Sequence, residues 1–213
     1  FRSLLHIMSG IINDLRSEFN KTNNTVIKLI WINLLVFISI IVCQVIFYYG
    51  NAPQVYEWIM AQLRLPAAIN SFIYKPWTLF TNFFVHEDIW HILFNLLFLY
   101  WFGNLLEEYI GGRRVAALYI LGGLSGGLVF LLMFNVVPYL HAGVATVSLI
   151  GASGAIFAII VGAATLLPDY TFFLLFLGPV RLKYIAGFYI LLSVAELVGT
   201  NAGGNLAHFA GAL

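Results

Sequence analysis

Leu149-Ile150-Gly151-Ala152-Ser153-Gly154-Ala155-Ile156-Phe157-Ala158-Ile159-Ile160 lies inside a segment, Val115 to Pro168, that contains no Asp, Glu, Lys or Arg. A charge-free run of that length reads as membrane-spanning. At its centre one hydroxyl, Ser153, stands among small residues. Gly, Ala and Ser let helix backbones approach closely in lipid, so the cluster reads as a packing seam. The same small neighbours leave room for a substrate and expose backbone N–H groups, so it also reads as the setting of a nucleophile. The polar residues elsewhere in the chain decide between these readings.

Composition extends the bilayer reading to the whole chain. Of 213 residues, 62% are hydrophobic and only 9% are charged, against about 25% charged in soluble domains. The net charge is +1 and basic residues do not cluster, so no nucleic-acid partner is expected. Cys43 is the single cysteine, which rules out an intramolecular disulfide and a Cys-based zinc site. Membrane lipid is the expected surrounding, and 16% aromatics suit its interfaces.

Read in order, the chain predicts an all-α polytopic bundle. Residues 1–24 alternate apolar and charged positions at helical spacing, which predicts an amphipathic helix lying on the membrane surface. Residues 25–213 form the membrane domain. The first span, Leu29 to Tyr49, is too long for a signal-peptide core and is read as a retained anchor. Residues 51–88 are aromatic and moderately polar, and read as an interfacial loop. Further spans are expected at Ile89–Leu106, Val115–Val136, from Leu149 to before Pro168, and at Tyr184–Val198. The apolar run Thr171 to Leu177 is too short to cross and is placed at the interface. A sixth span starts at Asn205. The nine residues from there to Leu213 are too few to cross, so the sequence is expected to stop inside that helix. With the N-terminus cytoplasmic, eight Lys and Arg fall on inner segments and only Arg64 and Lys75 on outer ones, a positive-inside bias.

This topology brings the polar residues to one level. Spans two, four and six all enter from the outer face. His91 and Asn95 lie near the start of span two, four residues apart on one face. Ser153 lies near the start of span four and His208 near the start of span six. Buried polar groups in membranes face the bundle interior, so these four imply one shared site. Each has a bland reading as hydrogen-bonding glue between helices, worth about 1 kcal/mol. Together they make a nucleophile, a general base and donors for an oxyanion.

These residues also resemble a known family. Gly151-Ala152-Ser153-Gly154 looks like the nucleophile motif of rhomboid intramembrane serine proteases, and Ala207-His208-Phe209-Ala210-Gly211 like their sixth-helix motif. His86, then His91-Ile92-Leu93-Phe94-Asn95, resembles their second-helix motif with its preceding loop histidine. Gly103 to Glu107, with Gly111, resembles the end of that helix. The resemblance implies a six-helix core and a Ser–His dyad without an acid. By that resemblance Ser153 attacks the scissile carbonyl and His208 acts as general base, then acid. His91, Asn95 and the Ser153 backbone N–H form the oxyanion hole. Gly151, Gly154, Phe157 and His86 support the site, and Glu107 is a structural polar residue. No metal and no cofactor is implied. Substrates would be single-pass transmembrane proteins, entering past span five. The membrane is a bacterial inner membrane or that of a eukaryotic organelle, and the compact six-span plan favours the bacterial one.

Two positions depart from the family pattern. Thr78 follows Trp77 where many members have Arg, so the loop's usual salt bridge is expected to be missing. Phe157 stands where a Tyr often supports the histidine; it can stack on the ring but brings no hydroxyl. The main alternative is a catalytically inactive, client-binding relative, although such relatives usually lack the serine or the histidine. A proton-relay transporter using His91, His208 and Glu196 would show an internal repeat, and none is evident. A metalloprotease would show His-Glu-x-x-His, which is absent from the sequence.

Overall fold

The computed structural model describes residues 24–174, 178–197 and 202–212. Apart from Asn24, the amphipathic segment expected over 1–24 lies outside the described residues. Among the described residues, three helices are long and apolar enough to cross a membrane: α1, Thr25–Tyr49, and α6, Gly112–Val136, with 25 residues each, and α5, Ile89–Ile110, with 22. At about 1.5 Å per residue these exceed the roughly 30 Å hydrocarbon core. α5 continues through a wider π turn at Leu99–Gly103.

After the single turn α7, Pro138–His141, two further apolar helices are shorter, α8 at Ser153–Leu166 and α9 at Leu182–Ala195, and the last among the described residues, α10, is Ala202–Ala212. The apolar run alone starts span four near Leu149, but Ser148–Leu149 is extended as strand β2 and pairs antiparallel with β1, Leu65–Pro66. The helix therefore begins four residues later, at Ser153 itself. A helix apolar on all sides belongs in the middle of a bundle, and α8 is buried at every position from Gly154 to Ile160. The final helix starts at Ala202 rather than Asn205. The apolar run after Pro168 forms a hairpin, β3 at Thr171–Leu174 with β4 at Gly178–Arg181, anchored by Phe172 edge-on to Phe102 at 5.1 Å.

Glu107 ties the far ends of α1 and α5 together. Its carboxylate accepts from Thr25 N at 2.7 Å and Val26 N at 2.9 Å, the unsatisfied donors of the α1 N-terminus. Asn24 accepts from Ile27 N at 2.9 Å as the N-cap. This is the structural role expected of Glu107. Deeper in, Asn33 donates to Tyr119 Oη at 3.0 Å and Tyr119 to Phe83 O at 3.2 Å, joining α1, α6 and the 3₁₀ turn Asn82–Phe84.

The 51–88 segment is more ordered than a loop. It holds helices α2, Pro53–Leu63, α3, Ile69–Ile73, and α4, Thr78–Thr81. Three side chains cap the α2 C-terminus: Lys75 Nζ reaches Ala61 O, Trp77 Nε1 reaches Gln62 O and Thr81 Oγ1 reaches Leu63 O, at 3.1, 2.9 and 2.9 Å. Thr78 is buried and donates to Lys75 O at 2.6 Å. An ion pair does exist in this segment, from a different residue: Arg64 reaches Glu87 at 2.7 Å and Glu57 at 3.5 Å.

Candidate active site

The site is assembled from the first turns of α5 and α8 and the middle of α10. Asp88 caps α5, its Oδ1 accepting from His91 N at 2.8 Å, which fixes the first turn that carries His91. Asn95, one turn on, donates one amide N–H to His91 O at 2.9 Å and keeps a second donor.

The approach to Ser153 is held from three directions. The β1–β2 pair and the bond from Ala67 N to Val147 O at 3.0 Å hold the strand before it. Gly151 N donates to Asn82 O at 2.9 Å. Ala152 N donates to His86 Nε2 at 3.4 Å. His86 is fully buried, and burial, with the His91 imidazole beside it, pushes its pKa down to about 3. It is therefore neutral at ordinary pH, as the acceptor role of Nε2 requires. Its ring meets His91 edge-on at 4.9 Å.

Gly151 has φ +109°, a region that L side chains rarely adopt. A Cβ there would also stand 2.6 Å from His91 Nε2. The imidazole thus lies directly over the turn into α8. Ser153 is the first residue of that helix, so its own N–H and those of Gly154 and Ala155 have no intrahelical acceptor.

α10 brings His208 to the same place by backbone contact. A Cβ on Gly154 would stand 3.1 Å from Ala207 O, and one on Gly126 of α6 2.8 Å from the same oxygen. A Cβ on Gly211 would collide with Gly154 O. Ser125 Oγ donates to Ala210 O at 2.8 Å. The His208 ring stacks on Phe157, centroids 4.8 Å apart and planes within 7°, so the expected stacking is present.

A cavity of about 1070 Å³ opens over this arrangement, and Ser153, His208, His91, Asn95 and Phe157 all line it. His86, Gly151 and Gly154 stand behind that lining. Among the described residues no hydrogen bond joins Ser153 Oγ to His208. Also among the described residues, no group of three or more His, Cys, Asp or Glu side chains is placed to hold a metal ion. Two serines in the lining escaped the sequence reading, Ser148 and Ser193. Ser193 carries the only side-chain hydroxyl besides Tyr184 and Tyr189 in α9, and that was its sole signal.

The Rhomboid domain family profile matches residues 74–213, which takes in every one of these site residues. The chain belongs to the rhomboid family. It is 30% identical over 151 residues to RHOMBOID-like protein 12, mitochondrial, of Arabidopsis thaliana, covering 63% of this chain and 43% of that one. It is 33% identical over 79 residues to Inactive RHOMBOID-like protein 8 of the same plant, covering 37% and 22%. To the rhomboid protease GlpG of Klebsiella pneumoniae it is 29% identical over 99 residues, covering 46% and 33%. The chain thus spans less than half the length of these curated relatives. Rhomboid membership and the apolar helices together make this an integral membrane protein with several spans.

Proposed function

We propose that this rhomboid is an intramembrane serine endopeptidase that cleaves single-pass transmembrane proteins near the outer membrane face, in a bacterial inner membrane with the N-terminus cytoplasmic. One observation carries the reading: a hydroxyl, two imidazoles and an amide, from three helices distant in sequence, line one cavity. Such convergence of polar groups among membrane helices is costly without a use.

In this mechanism Ser153 Oγ attacks the scissile carbonyl while its proton passes to His208 Nε2. The oxyanion takes hydrogen bonds from the Ser153 N–H, the His91 ring and the second amide proton of Asn95. His208 then gives its proton to the leaving amine as the C–N bond breaks. Water repeats the attack on the acyl-enzyme. Supporting the oxyanion role, Asp88, His86 and Gly151 each restrict where His91 and the α8 N-terminus can sit.

The test is cleavage of a single-span substrate by the purified protein in liposomes, with and without a phosphonofluoridate. The expected result is cleavage that resists chelators, stops on phosphonylation, and yields one adduct mapped to Ser153. Substrate binding with neither cleavage nor adduct would instead describe an inactive, client-binding rhomboid.

A transmembrane substrate needs a lateral entrance. Among the described residues, α5 and α9 meet through Phe98 and Tyr189, edge-on at 5.1 Å, and Tyr189 lines the cavity. Joining Phe98→Cys to Tyr189→Cys with a short bifunctional thiol reagent, in a Cys43→Ser background, is expected to lower transmembrane-substrate turnover at least tenfold. A short soluble peptide entering from the wet face should be cut at a nearly unchanged rate. Equal turnover of the membrane substrate before and after linking would close this route.

A further inference from the structure

We infer that Ser193 is a positioning residue for the reaction, the third member of a Ser153–His208–Ser193 array; the inference rests on the peptidase reading above. Ser193 Oγ lies 3.4 Å from His208 Nδ1. It is the one hydrogen-bond partner of that ring among the described residues. Ser193 is only 4% exposed, and both residues border the cavity.

The chemistry demands such a partner. A neutral imidazole carries its proton on one nitrogen or the other. His208 accepts from Ser153 only if Nε2 holds a lone pair, which puts the proton on Nδ1. Phe157 fixes the plane of the ring by stacking at 4.8 Å, but a phenyl face has no polar atom at the ring edge to choose between tautomers. Position 157 offers no hydroxyl. The hydroxyl comes instead from a different helix, α9. A hydroxyl can accept from Nδ1–H or donate to a bare Nδ1; in the inferred arrangement Ser193 Oγ accepts, which holds the tautomer with a free Nε2.

During attack the Ser153 Oγ–C bond forms as the Ser153 proton moves to Nε2. Nδ1–H stays on the ring and donates more strongly to Ser193 once the ring is cationic. No proton passes to Ser193. When the C–N bond breaks, the Nε2 proton leaves with the amine and the ring returns to its starting tautomer. Ser193 thus acts through His208 without touching the reacting carbonyl. Because Ser193 belongs to α9, any displacement of α9 from α10 takes the acceptor away and leaves the base unoriented.

The experiment compares wild type with Ser193→Ala, Ser193→Cys and Ser193→Thr in liposomes, on one transmembrane substrate. Ser193→Ala is expected to lower kcat roughly tenfold, the weight of one ordinary hydrogen bond, with KM unchanged. Ser193→Cys keeps the shape but is a weak acceptor, and should follow Ala. Ser193→Thr keeps the hydroxyl and should restore most of the rate. ¹⁵N-histidine spectra, with His208→Asn to assign the ring, should show Nδ1–H in wild type and Thr, and a shift toward Nε2–H in Ala. Wild-type kcat in Ser193→Ala overturns the inference. So does a Thr variant as slow as Ala, a rise in KM alone, or an unchanged tautomer. Failure of the peptidase reading looks different, because the wild-type protein itself would then neither cleave the substrate nor take the phosphonyl adduct.

Discussion

Replacing Ser153 with Ala is expected to abolish proteolysis, lowering kcat by roughly 10⁴-fold or more, without unfolding the protein. The two halves of that expectation have separate causes. The rate falls because no other group supplies the electron pair that forms the acyl-enzyme, and the remaining oxyanion donors act on a carbonyl that nothing attacks. The fold survives because the Ser153 side chain makes no hydrogen bond among the described residues and faces a cavity. Removing an oxygen there costs little, within about 0.5 kcal/mol. Melting temperature and far-ultraviolet dichroism should match wild type. His208→Ala should be equally inactive but less stable, since it also removes the face that stacks on Phe157 at 4.8 Å. Cleavage that persists in Ser153→Ala would transfer the nucleophile to Ser148 or Ser193, the other serines in the same lining, and the adduct map would say which.

How far the sequence foretold this site depends on the kind of constraint. Hydropathy locates α1, α5 and α6 because a bilayer requires long uncharged runs, and it places His91, Asn95, Ser153 and His208 at one depth. It misplaces the start of α8. Residues Leu149 and Ile150 are as apolar as the helix that follows, so periodicity cannot register that Ser148–Leu149 pairs with Leu65–Pro66. The β3–β4 hairpin is hidden for the same reason: a short apolar run suits strand and interfacial helix alike. Thr78 removes the cation from its own position, and the segment's ion pair comes from elsewhere. Arg64, fourteen residues earlier, reaches Glu87 at 2.7 Å, a pairing no local pattern encodes. Ser193 was invisible because a single hydroxyl in a membrane helix ordinarily bonds its own backbone; only the arrival of α10 beside α9 gives it an imidazole.

The second large effect is expected from a single methyl group. In Gly211→Ala the added Cβ would collide with Gly154 O, with Gly154 C at 2.9 Å and Gly154 Cα at 3.2 Å behind it. All three are backbone atoms, so no side chain can swing aside, and α10 must move off α8 by something like an ångström. His208 is three residues before Gly211, on the same helical face, and it moves with the helix. Overpacking of this kind costs about 1–3 kcal/mol. The rate penalty is of comparable size, because a 1 Å misplacement of a reacting group costs about 10²-fold. Gly187→Ala in α9 is the matched control: nothing lies within 4 Å of its added Cβ, so kcat should hold. Its stability should rise slightly, by about 0.4–1 kcal/mol, as the unfolded chain loses freedom. If Gly211→Ala melts lower yet cleaves at the wild-type rate, the α8–α10 seam does not set the Ser153–His208 approach. A loss of both, with Gly187→Ala unaffected, ties the chemistry to the same small-residue contact that Gly151-Ala152-Ser153-Gly154 first suggested. The packing reading and the nucleophile reading of that stretch are then one reading, since the seam is what delivers the base to the hydroxyl.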